Sequence, residues 1–225
     1  MYKYALLAAL AVADRGTTTR YWDCGGGACG CGFGNGADPT HCHANALFKA
    51  PANNAYGATY YGGAAISQAL GGGDWMSSGC GKCWKLTGTS NISGHSGKTT
   101  TIVLKGTNYC PPSNPVCANG AKHFDIAAPG FDYPGASIWN SCASKEADQA
   151  MHAPQICGYW MINSQNPDDN CNCYAINDPV LREGCLNFKS LYWNNPDVDF
   201  YEVDCPYELA QSPPCWAQNG NQWPS

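Results

Sequence analysis

Fifteen cysteines in 225 residues constrain this chain more than any other feature. A reducing cytosol does not hold that many sulfurs in disulfides, whereas an oxidising extracellular setting does. Their spacing argues against structural zinc. Cys80-Gly-Lys-Cys83 is a single CxxC, and Cys29-Gly-Cys31 and Cys171-Asn-Cys173 are CxC, while a zinc ribbon needs two CxxC knuckles. His41-Cys42-His43 has metal-ligating side chains but reads better as a loop tied by a disulfide. No metal and no cofactor is expected. The odd count leaves one thiol free or paired between chains. The chain is also long enough to bury a core of its own, so the bridges reinforce that core and do not replace it.

The first 13 residues, MYKYALLAALAVA, read as a signal peptide: Lys3 is the basic start, Tyr4–Leu10 the apolar run, and Ala11-Val12-Ala13 the cleavage pattern. The run is too short to span a membrane, and no other segment is a candidate. A secreted protein is expected, with residues 14–225 as a single domain, monomeric, and with no separate binding module, since no Ser/Thr/Pro linker precedes Trp216 and Trp223. Charged residues make up only 13% of the chain and no basic tract occurs, which excludes nucleic acid as a partner. Few charges, many aromatics and 26 glycines suit a rigid surface for an uncharged polar ligand, and carbohydrate is the obvious class.

Along the chain, residues 24–57 are Gly-, Ala-, Asn- and Cys-rich without periodicity and predict irregular structure. Ala64–Leu70 has helical composition and stops at three glycines. Cys83–Thr89, Thr99–Lys105, Lys122–Ala127, Leu186–Tyr192 and Asp199–Asp204 read as strands, with a turn at Asn194–Asp197. Ser144–Asn172 reads as a loop-rich insertion with a short helix near Ser144–Met151. Strands separated by unequal loops favour one β-barrel over a sandwich of regular hairpins.

Thr18-Thr-Arg-Tyr-Trp-Asp-Cys24 near the mature N-terminus resembles the signature of the family 45 glycoside hydrolases, small secreted endoglucanases. His123-Phe-Asp125 resembles that family's second landmark, and Asn195–Val203 with Cys205-Pro-Tyr-Glu-Leu209 resembles its C-terminal end. The resemblance implies a mainly β fold, a six-stranded double-psi β-barrel with long disulfide-tied loops and a few short helices. It implies hydrolysis of internal β-1,4 bonds of cellulose or β-glucan with inversion, Asp23 acting as general base and Asp125 as general acid, without a cofactor.

An inverting hydrolase needs two carboxyls roughly 6.5–9.5 Å apart, one protonated and one ionised. Asp125 follows Phe124 and precedes Ile126, Ala127 and Ala128, so partial burial would raise its pKa and suit an acid. Thr17–Thr19 and Arg20 could supply hydrogen bonds or charge that keep Asp23 ionised. Taken alone, Asp23 could equally be a strand-end aspartate bonded to backbone N–H groups, and Asp125 could pair with Lys122 or His123. By resemblance Tyr21 positions the sugar or its water. Thr19 and His123 are further candidates for the site. Trp75, Trp139, Tyr60 and Tyr61 are candidate platforms on which a pyranose could stack.

The resemblance also carries disulfides: Cys24–Cys142, Cys29–Cys80, Cys83–Cys205 and Cys173–Cys185. With those placed, Cys31–Cys42, Cys110–Cys117 and Cys157–Cys171 remain, and Cys215 is left alone. The chain departs from the family pattern where Gly25 follows Cys24. It departs again in Asn108–Lys122, where members often carry an assisting aspartate and this loop has no acid but holds Pro111, Pro112 and Pro115. Asn91-Ile-Ser93 is an N-glycosylation pattern. Expansins share the barrel and the His-Phe-Asp landmark without hydrolysing, and barwin-like proteins share the barrel. Both lack the base in its setting here, so the hydrolase is the expected function.

Overall fold

The computed structural model describes residues 13–22, 27–29, 48–73, 77–131, 157, 171–176 and 179–210. Six strands run through it: β1 (Asp14–Tyr21), β2 (Tyr60–Ser67), β3 (Cys83–Thr89), β4 (Thr99–Cys110), β5 (His123–Ala127) and β6 (Val198–Val203). They close into a barrel in the order β1-β5-β2-β4-β3-β6. The β1/β5 and β2/β4 pairs are parallel and the other neighbours antiparallel, which is the double-psi topology.

Period-2 alternation decides what fills the barrel. The register turns Phe124 and Ile126 of β5 inward beside Ala64 and Ile66 of β2, Ile102 and Leu104 of β4, Trp84 and Leu86 of β3, and Val198 and Phe200 of β6. Phe124 sits at the centre, with its ring edge-on to Trp84 at 5.6 Å and to Phe200 at 5.0 Å. β1 sends polar residues inward. Thr18 Oγ1 donates to the Pro196 carbonyl at 2.7 Å and accepts from Trp193 Nε1 at 2.9 Å. Arg20 donates to Asn195 Oδ1 at 2.7 Å. Residues 193–196 therefore cap the barrel through bonds to β1. Trp193 lies so close to Gly88 that a Cβ there would stand 2.7 Å from the indole, which is why that strand position has no side chain.

Two elements differ from the sequence expectation. Ala64–Leu70 is not a helix: its first half is β2, and only Gln68–Leu70 makes a 3₁₀ turn. Pairing with β4 and β5 on both edges overrides weak alanine helix propensity, and the small side chains fit between large neighbours. Leu186–Tyr192 is not a strand but lies in α1 (Pro179–Leu191), with Tyr192 just beyond it. The seven-residue window alternates, yet Leu181, Cys185, Phe188 and Leu191 are the buried stripe of a helix begun by Pro179. α2 (Tyr207–Ala210) follows β6. Its Leu209 carbonyl accepts from the buried Lys105 Nζ at 2.9 Å, and burial pulls that ammonium down to about 8.

Five of the seven expected disulfides fall among the described residues, and each closes with those partners: Cys29–Cys80, Cys83–Cys205, Cys110–Cys117, Cys157–Cys171 and Cys173–Cys185. Cys24–Cys142, Cys31–Cys42, Cys215 and the helix expected near Ser144–Met151 lie outside the described residues. Among the described residues no helix is long and apolar enough to cross a membrane.

Candidate active site

The outer face of β1 and β5 holds Asp125 and its polar neighbours. Parallel pairing sets Thr17 beside His123 and Thr19 beside Asp125. One strand further, Ala65 of β2 stands beside Asp125, and beyond it Asn108 of β4 stands beside Ala65. Asn108 reaches this face through a bulge. Ala64 pairs with Gly106 and Ala65 with Asn108, so Thr107 is skipped and the alternation of β4 reverses after it. Without that extra residue Asn108 would point into the barrel. Ala65 between the two polar residues leaves a flat, small-residue floor.

Asp125 is partly exposed, while His123, Phe124, Ile126, Ala127 and Ala128 around it are fully buried. Burial pushes its carboxyl up to about 6, against the Thr19 hydrogen bond and the Arg20 charge, which both act to lower it. The Thr19 hydroxyl donates to Asp125 Oδ1 at 2.7 Å. It also lies 2.7 Å from His123 Nε2, and Thr17 Oγ1 lies 2.7 Å from His123 Nδ1. Burial holds the His123 imidazole down to about 4, so the ring is neutral in the range where Asp125 titrates.

With Asp125 ionised, these contacts order the protons along the chain of bonds. Thr19 has one hydroxyl proton and gives it to Asp125, so it must accept from His123 Nε2–H. Neutral His123 then has a bare Nδ1, which accepts from Thr17. A protonated Asp125 keeps this order with its proton on Oδ2, whereas a proton on Oδ1 would run the chain in reverse, through Thr19 to His123 Nε2 and from Nδ1–H to Thr17.

Of the other expected site residues, His123 is fully buried and reaches Asp125 only through Thr19. Lys122 does not pair with Asp125 but with Asp14. Thr17 and Thr19 turn toward His123 and Asp125, and Arg20 lies inside the barrel, so these side chains serve β5 and the cap. Tyr61 is fully buried, with its hydroxyl on the Asn53 carbonyl at 2.9 Å, and cannot be a sugar platform. Tyr60 packs against Phe48 and bonds Ser190. Asp23, Trp75 and Trp139 lie outside the described residues.

Sequence reasoning missed Asn108 as a site residue. Its Nδ2 donates to Tyr21 Oη at 3.2 Å, and its Oδ1 accepts from the backbone of Ala28 at 2.7 Å and Tyr109 at 2.8 Å. One side chain thus touches chain segments on both sides of Asp23. Gly27 runs tight against β4 here, and a Cβ on it would fall 2.0 Å from the Thr107 carbonyl oxygen. No sequence signal marks the bulge that makes this possible. Beyond Asn108, the Cys110–Cys117 bridge and the Pro115–Cys117 turn, capped by Asn114, close the acid-free loop.

Cys157, Cys173 and Cys185 bring three sulfurs within 4.8 Å. Each is in a disulfide, and a disulfide sulfur is not the thiolate that a metal requires.

A closed six-stranded barrel with two parallel pairs and a half-buried aspartate on the outer face of β5 defines the expansin-related class of double-psi barrels. The family described as EXPB1-like domain 1 matches residues 16–131, and the chain belongs to that family. It is similar to Endoglucanase-5 of Hypocrea jecorina, at 34% identity over 144 residues, which cover 55% of this chain and 53% of that protein. The chain thus spans about half the length of that relative. It is 29% identical over 228 residues to an endoglucanase of Cryptopygus antarcticus, covering 89% of this chain and 88% of the relative. The crystal structure of a cellulase from the same springtail shares the fold with a TM-score of 0.56, at 24% identity, covering 90% of this chain and 96% of that one.

Proposed function

We propose that this protein is a secreted, inverting endo-β-1,4-glucanase acting on cellulose or β-glucan, with Asp125 as general acid and Asp23 as general base. The observation that carries the reading is Asp125 itself, a carboxyl raised by burial to about 6 with Oδ1 in a hydrogen bond to Thr19. A group of that pKa can hold a proton near neutral pH and deliver it to a leaving glycosidic oxygen. Asp23 would activate water on the opposite face of the sugar. Tyr21, held by Asn108, would orient the sugar at the cleaved bond, with Trp75 and Trp139 as stacking platforms. The disulfides fit an oxidising, extracellular setting, and the similarity to endoglucanases of a fungus and a springtail supports the substrate class.

The test follows viscosity, reducing ends and product anomers together on carboxymethylcellulose and barley β-glucan. Viscosity should fall well ahead of reducing-end release, and α-anomers should appear first in the proton NMR spectrum. Early β-anomers would overturn inversion. The family match favours one rival, an expansin-like protein that loosens glucan without cutting it. Wall weakening with no new reducing ends would establish that rival.

The Thr19 bond makes a separate prediction. Activity needs protonated Asp125, so kcat/KM should fall as pH rises through about 6. The hydroxyl stabilises the carboxylate, so Thr19→Val should raise the pKa and carry the alkaline limb to higher pH. A pH–rate profile with an unmoved or lowered limb would show that this bond does not tune the acid.

A further inference from the structure

Asn91-Ile92-Ser93, on the hairpin between β3 and β4, is the one Asn-X-Ser/Thr triplet in the chain with a non-proline X. The hairpin is firmly held. Ser90 N–H bonds the Lys98 carbonyl at 3.0 Å, Ser90 Oγ donates to the Tyr192 carbonyl at 2.8 Å, and Lys98 Nζ reaches the Ser190 carbonyl at 3.1 Å. Ile92 is buried in the main core, and the His95 ring stacks on Tyr192. With Ser90 and Ile92 turned in, Asn91 and Ser93 are turned out. The Asn91 amide makes no hydrogen bond among the described residues.

A polar cavity of about 560 Å³ opens beside it, and Asn91 is part of its wall. Thr87, Thr89, Thr99, Asp197 and Asp199 supply hydroxyls and carboxylates and Pro196 an apolar side chain, while Val198 turns its own side chain into the core. That volume lies within the ~300–1,000 Å³ range of small-molecule sites. The wall lacks the apolar and aromatic lining such sites usually have, and it matches instead a ligand that presents many hydroxyls. Arg15 and Asp199 place the cavity on the β6 side of β1, whereas Asp125 is on the β5 side.

We propose that Asn91 carries an N-linked glycan and that its first sugars seat in this cavity. The anchor, the oxidising compartment implied by the disulfides and the polar wall are separate observations that meet at one residue. A glycan leaving Asn91 Nδ2 starts at the cavity wall, where its hydroxyls can donate to Asp197 and Asp199 and exchange bonds with the threonine row. The inference does not depend on the reaction proposed for Asp125.

The test uses the full chain secreted from a yeast host. Intact mass before and after enzymatic deglycosylation should show one N-glycan, lost in Asn91→Gln and in Ser93→Ala. An endoglycosidase that cuts between the first two sugars should act about tenfold more slowly on the folded than on the denatured protein, the protection given by a seat occupied roughly nine-tenths of the time. Asp197→Ala with Thr89→Ala should remove most of that protection while leaving the glycan attached. Secreted, folded protein with unmodified Asn91 would overturn the site. A glycan cut equally fast in folded and denatured protein would overturn the seating.

Discussion

Replacing Asp125 by asparagine should lower kcat on barley β-glucan by about 10²–10⁴-fold, the usual contribution of a positioned general acid. The variant should fold normally, because an asparagine Oδ1 can still accept the Thr19 hydroxyl that now bonds the aspartate at 2.7 Å. What it cannot do is donate an acidic proton from the second position. The loss should therefore track the leaving group. A cellobioside with an activated phenol leaves without protonation and should be cleaved nearly as fast by the variant as by wild type, whereas glucan should be almost untouched. Asp23→Asn should be equally inactive on glucan but should gain nothing from the activated substrate, because water activation is what it would lose. Reducing-end assays on both substrates measure all four rates. More than about a tenth of wild-type glucan activity in Asp125→Asn, an order of magnitude above the expected range, would remove it as the acid.

The second large effect is on stability. Phe124→Ala should destabilise the protein by about 3–5 kcal/mol, the range for deleting a fully buried aromatic ring. Phe124 has no exposed surface and makes edge contacts with Trp84 of β3 and Phe200 of β6, so no single strand can shift to fill the space. At roughly 2–4 °C per kcal/mol for a chain of this size, Tm should fall by about 6–20 °C. Phe124→Leu, which keeps most of the volume, should cost much less. Scanning calorimetry with intact disulfides tests this, and a fall under about 3 °C for the alanine variant would mean the barrel centre repacks. Because Phe124 lies between His123 and Asp125, the same variant should also lose activity beyond its unfolded fraction, through looser placement of the acid.

The surroundings of Asp125 were legible because local chemistry carries them. Asp125 sits in a run of apolar residues, and such a run dictates burial on any strand, hence a raised pKa. Lys122–Ala127 and Cys83–Thr89 read as strands, and the structure has strands at His123–Ala127 and Cys83–Thr89. Where a short window fitted two periods, the reading failed: Leu186–Tyr192 alternates, but Pro179 upstream and Cys185 bridged to Cys173 belong to a helix. Ala64–Leu70 failed for a different reason, since pairing on both edges outweighs a propensity worth a few tenths of a kcal/mol per residue.

By itself the sequence determined the oxidised setting from its fifteen cysteines and the β class from its alternating runs. Through the motifs it resembles, it also pointed to Asp125, on β5, as a candidate acid. Only the tertiary structure decided which neighbours that acid has. Thr19 read as a donor for Asp23, and parallel pairing of β1 with β5 in one register sets it beside Asp125. Arg20, one residue on, is carried to the opposite face, where it hydrogen-bonds the barrel cap while its charge still acts on Asp125. Asn108 faces outward only because Thr107 is skipped against β2. The physical reason is common to all three. Side chains alternate faces with a period of two, so a one-residue change in pairing between strands distant in sequence reverses what each residue touches, and no local pattern records that pairing.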